Sequence, residues 1–263
     1  MKKNISIITI NYNNLAGLEK TVQSVVHQTY SDYEYIIIDG GSTDGSCQFL
    51  ETHKKKFSYL VSEPDAGIYN AMNKGIKASK GEYLLFLNSG DVLNGVTALS
   101  DFINNPLFSG DIIYGDYQFE KSEKIYPDIL TPLFFIKTSL PHQSTFFKRS
   151  IFDKMGFYSE SYKISADRAF YIDCFLSGKF KFTHIEYFLS IYDLNGLSNS
   201  VASNTLKEEE DTAIFKKYYG VFFQDYLKYL ALEEELSRVR KLTLGGILKR
   251  IKNKIKAYAN TSS

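Results

Sequence analysis

The 263-residue chain has no tryptophan, five prolines, three methionines and two cysteines. Cys47 and Cys174 stand far apart and neither has a CxxC companion, which excludes a disulfide framework and a thiolate zinc site. A reducing compartment is expected. Long hydrophobic runs are also missing: none reaches the roughly 18 apolar residues that cross a bilayer. The apolar stretch behind Met1-Lys2-Lys3-Asn4 is only "ISIITI" and breaks at Asn11-Tyr12-Asn13-Asn14. That is too short for the core of a signal peptide and reads as a first strand, so a soluble or peripheral protein is expected.

Charge of one sign is scarce overall, at net +1, but it is unevenly placed. From Leu236 onward eight basic residues face no acidic one, which leaves the rest of the chain at about −7. An acidic body argues against a nucleic-acid partner. What the chain does have is 44% hydrophobic and 23% charged residues, an ordinary globular mixture, with Tyr and Phe at 20 each.

Apolar runs and helical patterns alternate through the first third. Ile5–Ile10 predicts a strand, Leu15–Gln28 a helix, and Tyr35–Ile38 a strand ending in Asp39-Gly40-Gly41. Ser42-Thr43-Asp44 supplies capping chemistry for a helix to about Lys54. A strand at Tyr59–Val61, a helix at Ile68–Ala78 and a strand at Tyr83–Leu87 follow. This order predicts an α/β fold, a mostly parallel sheet with helices on both faces. The second half predicts separate strands at Ile112–Tyr114 and Tyr117–Phe119, a strand at Ser144–Lys148, helices at Ser150–Met155 and Arg168–Leu176, and strand structure over Phe180–Leu189. Residues from Glu208 to Arg240 read as largely helical, and Ile247–Ala259 as a last helix. The expected division is 1–205 for the α/β domain and 206–263 for a helical extension. Asp111 and Asp116 read as turn residues beside a strand, and His27, His53 and His184 are given no role.

In such sheets ligands bind beyond the carboxyl ends of the strands. Those ends carry Thr9 and Asn11, Asp39, Ser62-Glu63-Pro64-Asp65, and Asn88-Ser89-Gly90-Asp91. Each polar residue alone is explained by helix capping; several acids converging on one rim are not.

Together, "ISIITINYNN", "YIIIDGGSTDGS", "SEPDAGIYNAMNKGIKASKGEYLLFLNSGD", "HQSTFFKR", "SADRAF" and "LNGLSNS" resemble the family 2 glycosyltransferases over about residues 4 to 200. The resemblance implies the GT-A fold and inverting transfer from a nucleotide-sugar donor. It places Thr9, Asn11, Asp65, Asn73, Asn88, Ser89 and His142 about the donor. Asp39 would accept a hydrogen bond from the imide N–H of a uracil-type base, which favours a UDP-sugar. Asp91 would be the metal-binding carboxylate for Mn²⁺ or Mg²⁺. One protein acid suffices, because a diphosphate and water supply the other oxygen ligands. Asp167 would be the catalytic base that takes the proton of the attacking hydroxyl, although capping the helix that follows it is an alternative role. Asn195-Gly196-Leu197-Ser198 would close over the diphosphate.

The acceptor implied is a glycan or a lipid-linked saccharide. Two other readings stay open: a sugar-1-phosphate nucleotidyltransferase, and a sugar-nucleotide-binding module without catalysis. The first wants a Gly-rich, basic phosphate loop after strand one, where this chain has Asn11-Tyr12-Asn13-Asn14. Asp167 discriminates the second. The tail "GGILKRIKNKIKAYA" spaces Ile247, Leu248, Ile251, Ile255 and Tyr258 along one helical face with lysines around them. It either lies on an anionic membrane surface or packs on the domain. A cytoplasmic protein is expected, free or peripheral on the inner face of the membrane.

Overall fold

Strand β1 (Ile5–Asn11) is buried at every position, as an apolar, β-branched run covered on both faces must be. In the computed structural model, which describes residues 5–119, 122–193, 201–243, 245–248 and 252, it lies at the centre of a nine-stranded sheet. Parallel to it run β2 (Tyr33–Asp39) on one side and β4 (Tyr83–Phe86) on the other, with β3 (Tyr59–Ser62) outside β2. The crossovers are α1 (Leu15–Val26), α2 (Ser46–His53) and α3 (Ile68–Ala78). Beyond β4 the sheet becomes mixed. The remaining strands in chain order are β5 (Val92–Leu93), β6 (Ile112–Phe119), β7 (Ser122–Lys124), β8 (Thr145–Lys148) and β9 (Phe182–Ile191). The order across the sheet is β3-β2-β1-β4-β8-β6-β9-β5, with β7 paired to β6. β8 is antiparallel to both β4 and β6, and β9 is parallel to β6.

One face of the sheet buries Ile5, Ile7, Tyr35, Ile37 and Leu85 against Leu18, Val22 and Val25 of α1, and against Phe102 of α4 (Ala98–Ile103). On the opposite side Phe86 and Phe147 meet Phe152 of α6 (Ser150–Met155), and Phe147 meets Phe170 and Tyr171 of α7 (Ala166–Leu176). Each fully buried side chain of this size contributes ~1.5–3 kcal/mol relative to exposure. At Gly75 a Cβ would collide with Ile8, so α3 approaches β1 more closely than any other residue there would permit.

The expected strands at Ile112–Tyr114 and Tyr117–Phe119 form one strand, whose pairing with β9 shifts register on both sides of Asp116. Asp116 is not a turn residue. It is fully buried, accepts from the Tyr126 backbone N–H at 2.9 Å, and lies 3.0 Å from Nε2 of His184. Asp44 serves two helices: it accepts from Ser46 N at 3.1 Å and from Leu15 N at 2.8 Å, while Gly45, at φ +101°, is the residue that enters α2. Short elements with no clear period, namely β5, α4, β7 and α5 (Pro132–Lys137), were not anticipated.

The chain divides into two compact units, Met1–Ile214 and Phe215–Ser263, so residues 206–214 belong to the first. In that unit the first part of α8 (Val201–Tyr219) carries Glu210 and Asp211. In the second, α9 (Phe223–Leu242) follows a 3-10 turn at Gly220–Phe222, and the Phe215 ring meets those of Tyr219 and Phe223. Ile247 and Leu248, which begin the expected tail stripe, are exposed. Residues 249–251 and 253–263 of the tail, and the Asn195–Ser198 segment, lie outside the described residues. No helix among the described residues is long and apolar enough to cross a membrane.

Candidate active site

The carboxyl ends of β1 and β4 open into a cavity of about 720 Å³. The strand-end loops are tied together before any ligand arrives. Past β4, Leu87 N and Ser89 N donate to Ile8 O and Ile10 O, which extends the β1 pairing into the Asn88–Asp91 turn. Thr21 on α1 accepts from Gly90 N at 2.9 Å and donates to Asp91 O at 2.8 Å. Across the mouth, Asn13 N donates to Ser42 Oγ and Asn13 Oδ1 accepts from Thr43 N, both at 2.8 Å.

Of the expected donor residues, Asn11, Asp65, Asn88, Ser89 and His142 line this cavity, as does Asp91. Thr9, Asp39 and Asn73 do not, and each is engaged in packing. Thr9 is buried against the Tyr35 hydroxyl at 3.0 Å, and Asn73 donates to Tyr158 O and Glu160, each at 2.9 Å. Asp39 is wholly buried and surrounded by donors: Asn11 Nδ2 at 2.7 Å, Ser42 Oγ and Ser62 Oγ at 2.6 Å, and Ser42 N at 2.9 Å. Burial pushes its carboxyl up, but these hydrogen bonds outweigh burial and hold it below the usual carboxylate range. These bonds link Asp39 to the rim residues Asn11 and Ser42.

Asp91 is 3% exposed, and burial pushes its pKa up to about 6, with the charge of His142 opposing the rise. It still ionises at neutral pH. Beside it stands a residue absent from the sequence-based expectation, Asp193, whose backbone N–H donates to Asp91 Oδ1 at 3.1 Å. Gly90, at φ +112°, is where the two meet: a Cβ there would collide with the Asp193 carboxylate. A pattern signal existed, since Asp193 follows β9 as Asp39 ends β2 and Asp91 follows β4, an acid at the mouth of a strand.

Among the described residues the cavity lining includes Asp65, Asp91 and Asp193 but no lysine or arginine. A diphosphate there needs a cation. Paired hard oxygen donors suit Mg²⁺ or Mn²⁺, and no cluster of three or more potential ligands occurs among the described residues. Two carboxylates, Asp91 and Asp193, fit such an ion where a ligand's own oxygens complete its shell.

Asp167, the expected base, is not on this cavity. It lines an adjoining one of about 350 Å³, and Ile68, Asn88, His142 and Tyr192 belong to both. Its position is built from several elements. Tyr69 of α3 places its hydroxyl 2.9 Å from Oδ1, Arg168 N donates to the same oxygen at 2.8 Å, and His142 Nδ1 lies 3.5 Å from Oδ2. Glu210 accepts from the backbone N–H groups of Lys163, Ile164 and Ser165, which fixes the loop leading into α7. Arg168 pairs with Asp211 and donates to Phe135 O and Ile136 O. Burial raises the Asp167 carboxyl, yet His142, Arg168 N and Tyr69 together draw it below its ordinary value. The same pairing raises His142 against the effect of burial. Asp167 does sit at the start of α7, but its oxygens face His142 and Tyr69 as well as a helix N–H.

His142 Nε2 lies 3.1 Å from the Asn88 side-chain amide. The amide nitrogen Nδ2 of Asn88 is the atom at this contact, and Asn88 Oδ1 is buried without a hydrogen-bond partner. Asp91, Asn88, His142 and Asp167 thus form one polar chain from the first cavity to the second.

A parallel half-sheet with acids at its strand ends, continued by a mixed half, is the arrangement of a GT-A protein. The model of "Glycosyl transferase family 2" matches residues 6–163, and the chain belongs to that family. It is 30% identical over 205 residues to a PGL/p-HBAD biosynthesis glycosyltransferase of Mycobacterium tuberculosis, covering 74% of this chain and 79% of that protein. An uncharacterized glycosyltransferase of the same organism is 35% identical over 174 residues; this chain spans 66% of its length, just under two thirds, and 63% of this chain is matched. Staphylococcus aureus TarS in complex with UDP-GlcNAc has a similar fold, with TM-score 0.63 and 18% identity over 84% of this chain and 73% of that one. So does a Pyrobaculum calidifontis mannosyltransferase in complex with GDP-Man and Mn²⁺, at TM-score 0.57 and 13% identity, covering 98% of this chain and 81% of that one.

Proposed function

We propose that this chain is an inverting glycosyltransferase that moves a sugar from a nucleoside diphosphate donor, a UDP-sugar first of all, to a hydroxyl of a glycan or lipid-linked saccharide. The observation that carries this reading is Asp167, a pre-positioned carboxylate in the smaller cavity, which shares Asn88 and His142 with the larger one. The larger cavity holds the donor and the smaller one the acceptor.

In the transfer the acceptor hydroxyl displaces the long His142 contact at Asp167 Oδ2 and gives that oxygen its proton as it attacks. The new carbon–oxygen bond forms on the face of the anomeric carbon opposite the departing diphosphate, so one displacement inverts the centre. His142 takes up hydrogen bonding to the carboxyl as its charge falls, and Tyr69 keeps the other oxygen in place. Asp91, with Asp193 beside it, would hold Mn²⁺ or Mg²⁺, which supplies charge neutralisation at the leaving diphosphate. Asn11, Asp65, Asn88 and Ser89 contact the donor. Asp39, Thr9 and Asn73 act behind them as positioning residues. Support for uridine comes from the fold shared with TarS, whose complex holds UDP-GlcNAc; the guanosine donor of the archaeal mannosyltransferase is the competing choice.

The catalytic region is residues 1–205 together with the anchoring start of α8, and the remainder is a helical extension. Its basic tail holds the protein on an anionic membrane surface on the cytoplasmic side, where a lipid-linked acceptor is found. A thermal-shift screen of UDP-, dTDP- and GDP-sugars with Mn²⁺ tests the donor assignment. Stabilisation by uridine donors above the others is expected; equal response to all three, or to none, contradicts it.

A further inference from the structure

The smaller cavity has an aromatic wall, in which the rings of Tyr117 and Tyr126 stand 6.2 Å apart. Tyr117 belongs to β6, but Tyr126 lies in the stretch between β7 and α5, where no sheet pairing places it. Three consecutive residues of that stretch are fastened to the sheet by other means. Tyr126 N donates to Asp116 Oδ1 at 2.9 Å, and Pro127 O accepts from the Tyr114 hydroxyl at 2.6 Å. Asp128 Oδ1 lies 2.7 Å from Nδ1 of His184 on β9. The His184 ring stacks on that of Tyr114 with centroids 5.1 Å apart, and its Nε2 lies 3.0 Å from Asp116 Oδ1.

Ionised carboxylates accept and do not donate, and a neutral imidazole has a single N–H. His184 therefore makes both contacts only as the imidazolium. Its pairing with Asp116 and Asp128 raises the ring above its ordinary value against the effect of burial. Once pH exceeds that value one N–H is gone, and the surroundings decide which contact is lost. The Asp116 side chain is 1% exposed and its Oδ2 is buried without a partner, so no water replaces a bond lost there. The Asp128 side chain is 87% exposed, and water replaces its bond. Asp128 is the one released. The remaining titratable group against the ring is the Tyr114 hydroxyl, engaged with Pro127, while Glu186 on β9 is exposed.

We infer that Asp128 and His184 are positioning residues of the smaller cavity: their ion pair fastens the stretch that carries Tyr126 and so keeps the aromatic wall in shape for an acceptor saccharide. The inference rests on the proposed function for the identity of this cavity as the acceptor site. A pyranose packs its C–H face on such rings, so a displaced Tyr126 weakens acceptor binding. Asp167 keeps its place, held by Tyr69, Arg168 N and His142. The donor side is spared, since none of Tyr126, Asp128 and His184 is among the residues lining the donor cavity.

Hydroxyl-radical footprinting of the full chain reads the Tyr126 side chain directly, with the buried Tyr35 as internal control. Because Asp128 is exposed, Asp128→Ala removes the ion pair without opening the core. Tyr126 labelling is expected to rise about threefold in this variant while that of Tyr35 stays constant, and Asp128→Glu should restore protection. In wild type the labelling should climb between about pH 6 and about pH 9, and in Asp128→Ala it should be flat. Equal Tyr126 labelling in wild type and Asp128→Ala, or a climb with pH that persists in the variant, overturns the inference. Transfer from a UDP-sugar to p-nitrophenyl glycosides should show the acceptor KM of Asp128→Ala raised about threefold with kcat and donor KM nearly kept; a loss confined to kcat overturns it as well. A wild-type protein that transfers to none of these glycosides counts against the acceptor assignment of the cavity and leaves the footprint comparison, which needs no ligand, unaffected.

Discussion

Asp91 and Asp167 do different work with the same functional group, and their surroundings say which. Asp91 has few donors, and burial holds its pKa near 6; a divalent cation is what compensates such a carboxylate. Asp91→Ala is therefore expected to remove the Mn²⁺-dependent part of donor affinity, read by calorimetry with and without metal; retention of that increment contradicts the metal role. Asp167 is instead supplied with donors, His142 among them, which hold its carboxyl below the ordinary value against the effect of burial. Removing that contribution by His142→Ala should raise its pKa. The acidic limb of the kcat profile should then move to higher pH, and a limb that stays in place would detach His142 from the base. Asp39 needs a different variant. With Asp39→Ala the hydrogens of Asn11, Ser42 and Ser62 lose their acceptor, so a loss of ~2–4 kcal/mol of stability is expected in urea titration, with donor binding falling as the rim loosens.

Among the elements, those with a long clear period were legible in the sequence. Helix α3 is found at Ile68–Ala78, as its apolar spacing indicates. The four parallel strands were legible too, because each is an apolar run bounded by turn chemistry. Several short elements escaped, since two residues of β5 or six of α4 hold too little period to stand out. Lining of the cavity was legible where a residue stands at or just past a strand end, as for Asn11, Asn88 and Asp91. It was illegible where long-range packing decides. Nothing local says that Tyr69 and His142 converge on Asp167, or that Glu210 fixes the loop before it. Nor does composition reveal that Asp39 is consumed by its own hydrogen bonds. Gly90 condenses this point: its φ of +112° and the approach of Asp193 are both needed for the paired acids. Gly90→Ala should strain the turn and separate them, weakening metal-dependent donor binding while leaving metal-free binding close to wild type. Across the sheet, His184 is clamped between Asp116 and Asp128, and this pairing raises its pKa against the effect of burial. Its contribution to stability is complete below about pH 6.5, the ordinary histidine value, and is lost as pH rises through the raised folded value. His184→Gln should flatten that part of the melting-temperature profile; an unchanged slope would assign the pH dependence elsewhere.

For the whole molecule, two surfaces of opposite charge carry the functional argument. An acidic catalytic body with a basic tail should bind anionic liposomes in a salt-sensitive way, each tail cation adding roughly 1 kcal/mol near the surface. Truncation after Leu244 should abolish flotation, and a truncated protein that floats as well as the full chain rules out the tail as anchor. The central claim is that one carboxylate, held in the smaller cavity beside the donor cavity, removes the acceptor proton. The most direct test is kcat and donor Kd of Asp167→Asn, measured with the donor that stabilises the protein most. A base acts on the transition state and little on ground-state binding, so kcat should fall by about 10²–10⁴ with donor Kd nearly unchanged. A variant that turns over within a few fold of wild type, or that loses donor affinity in proportion to rate, would contradict the account.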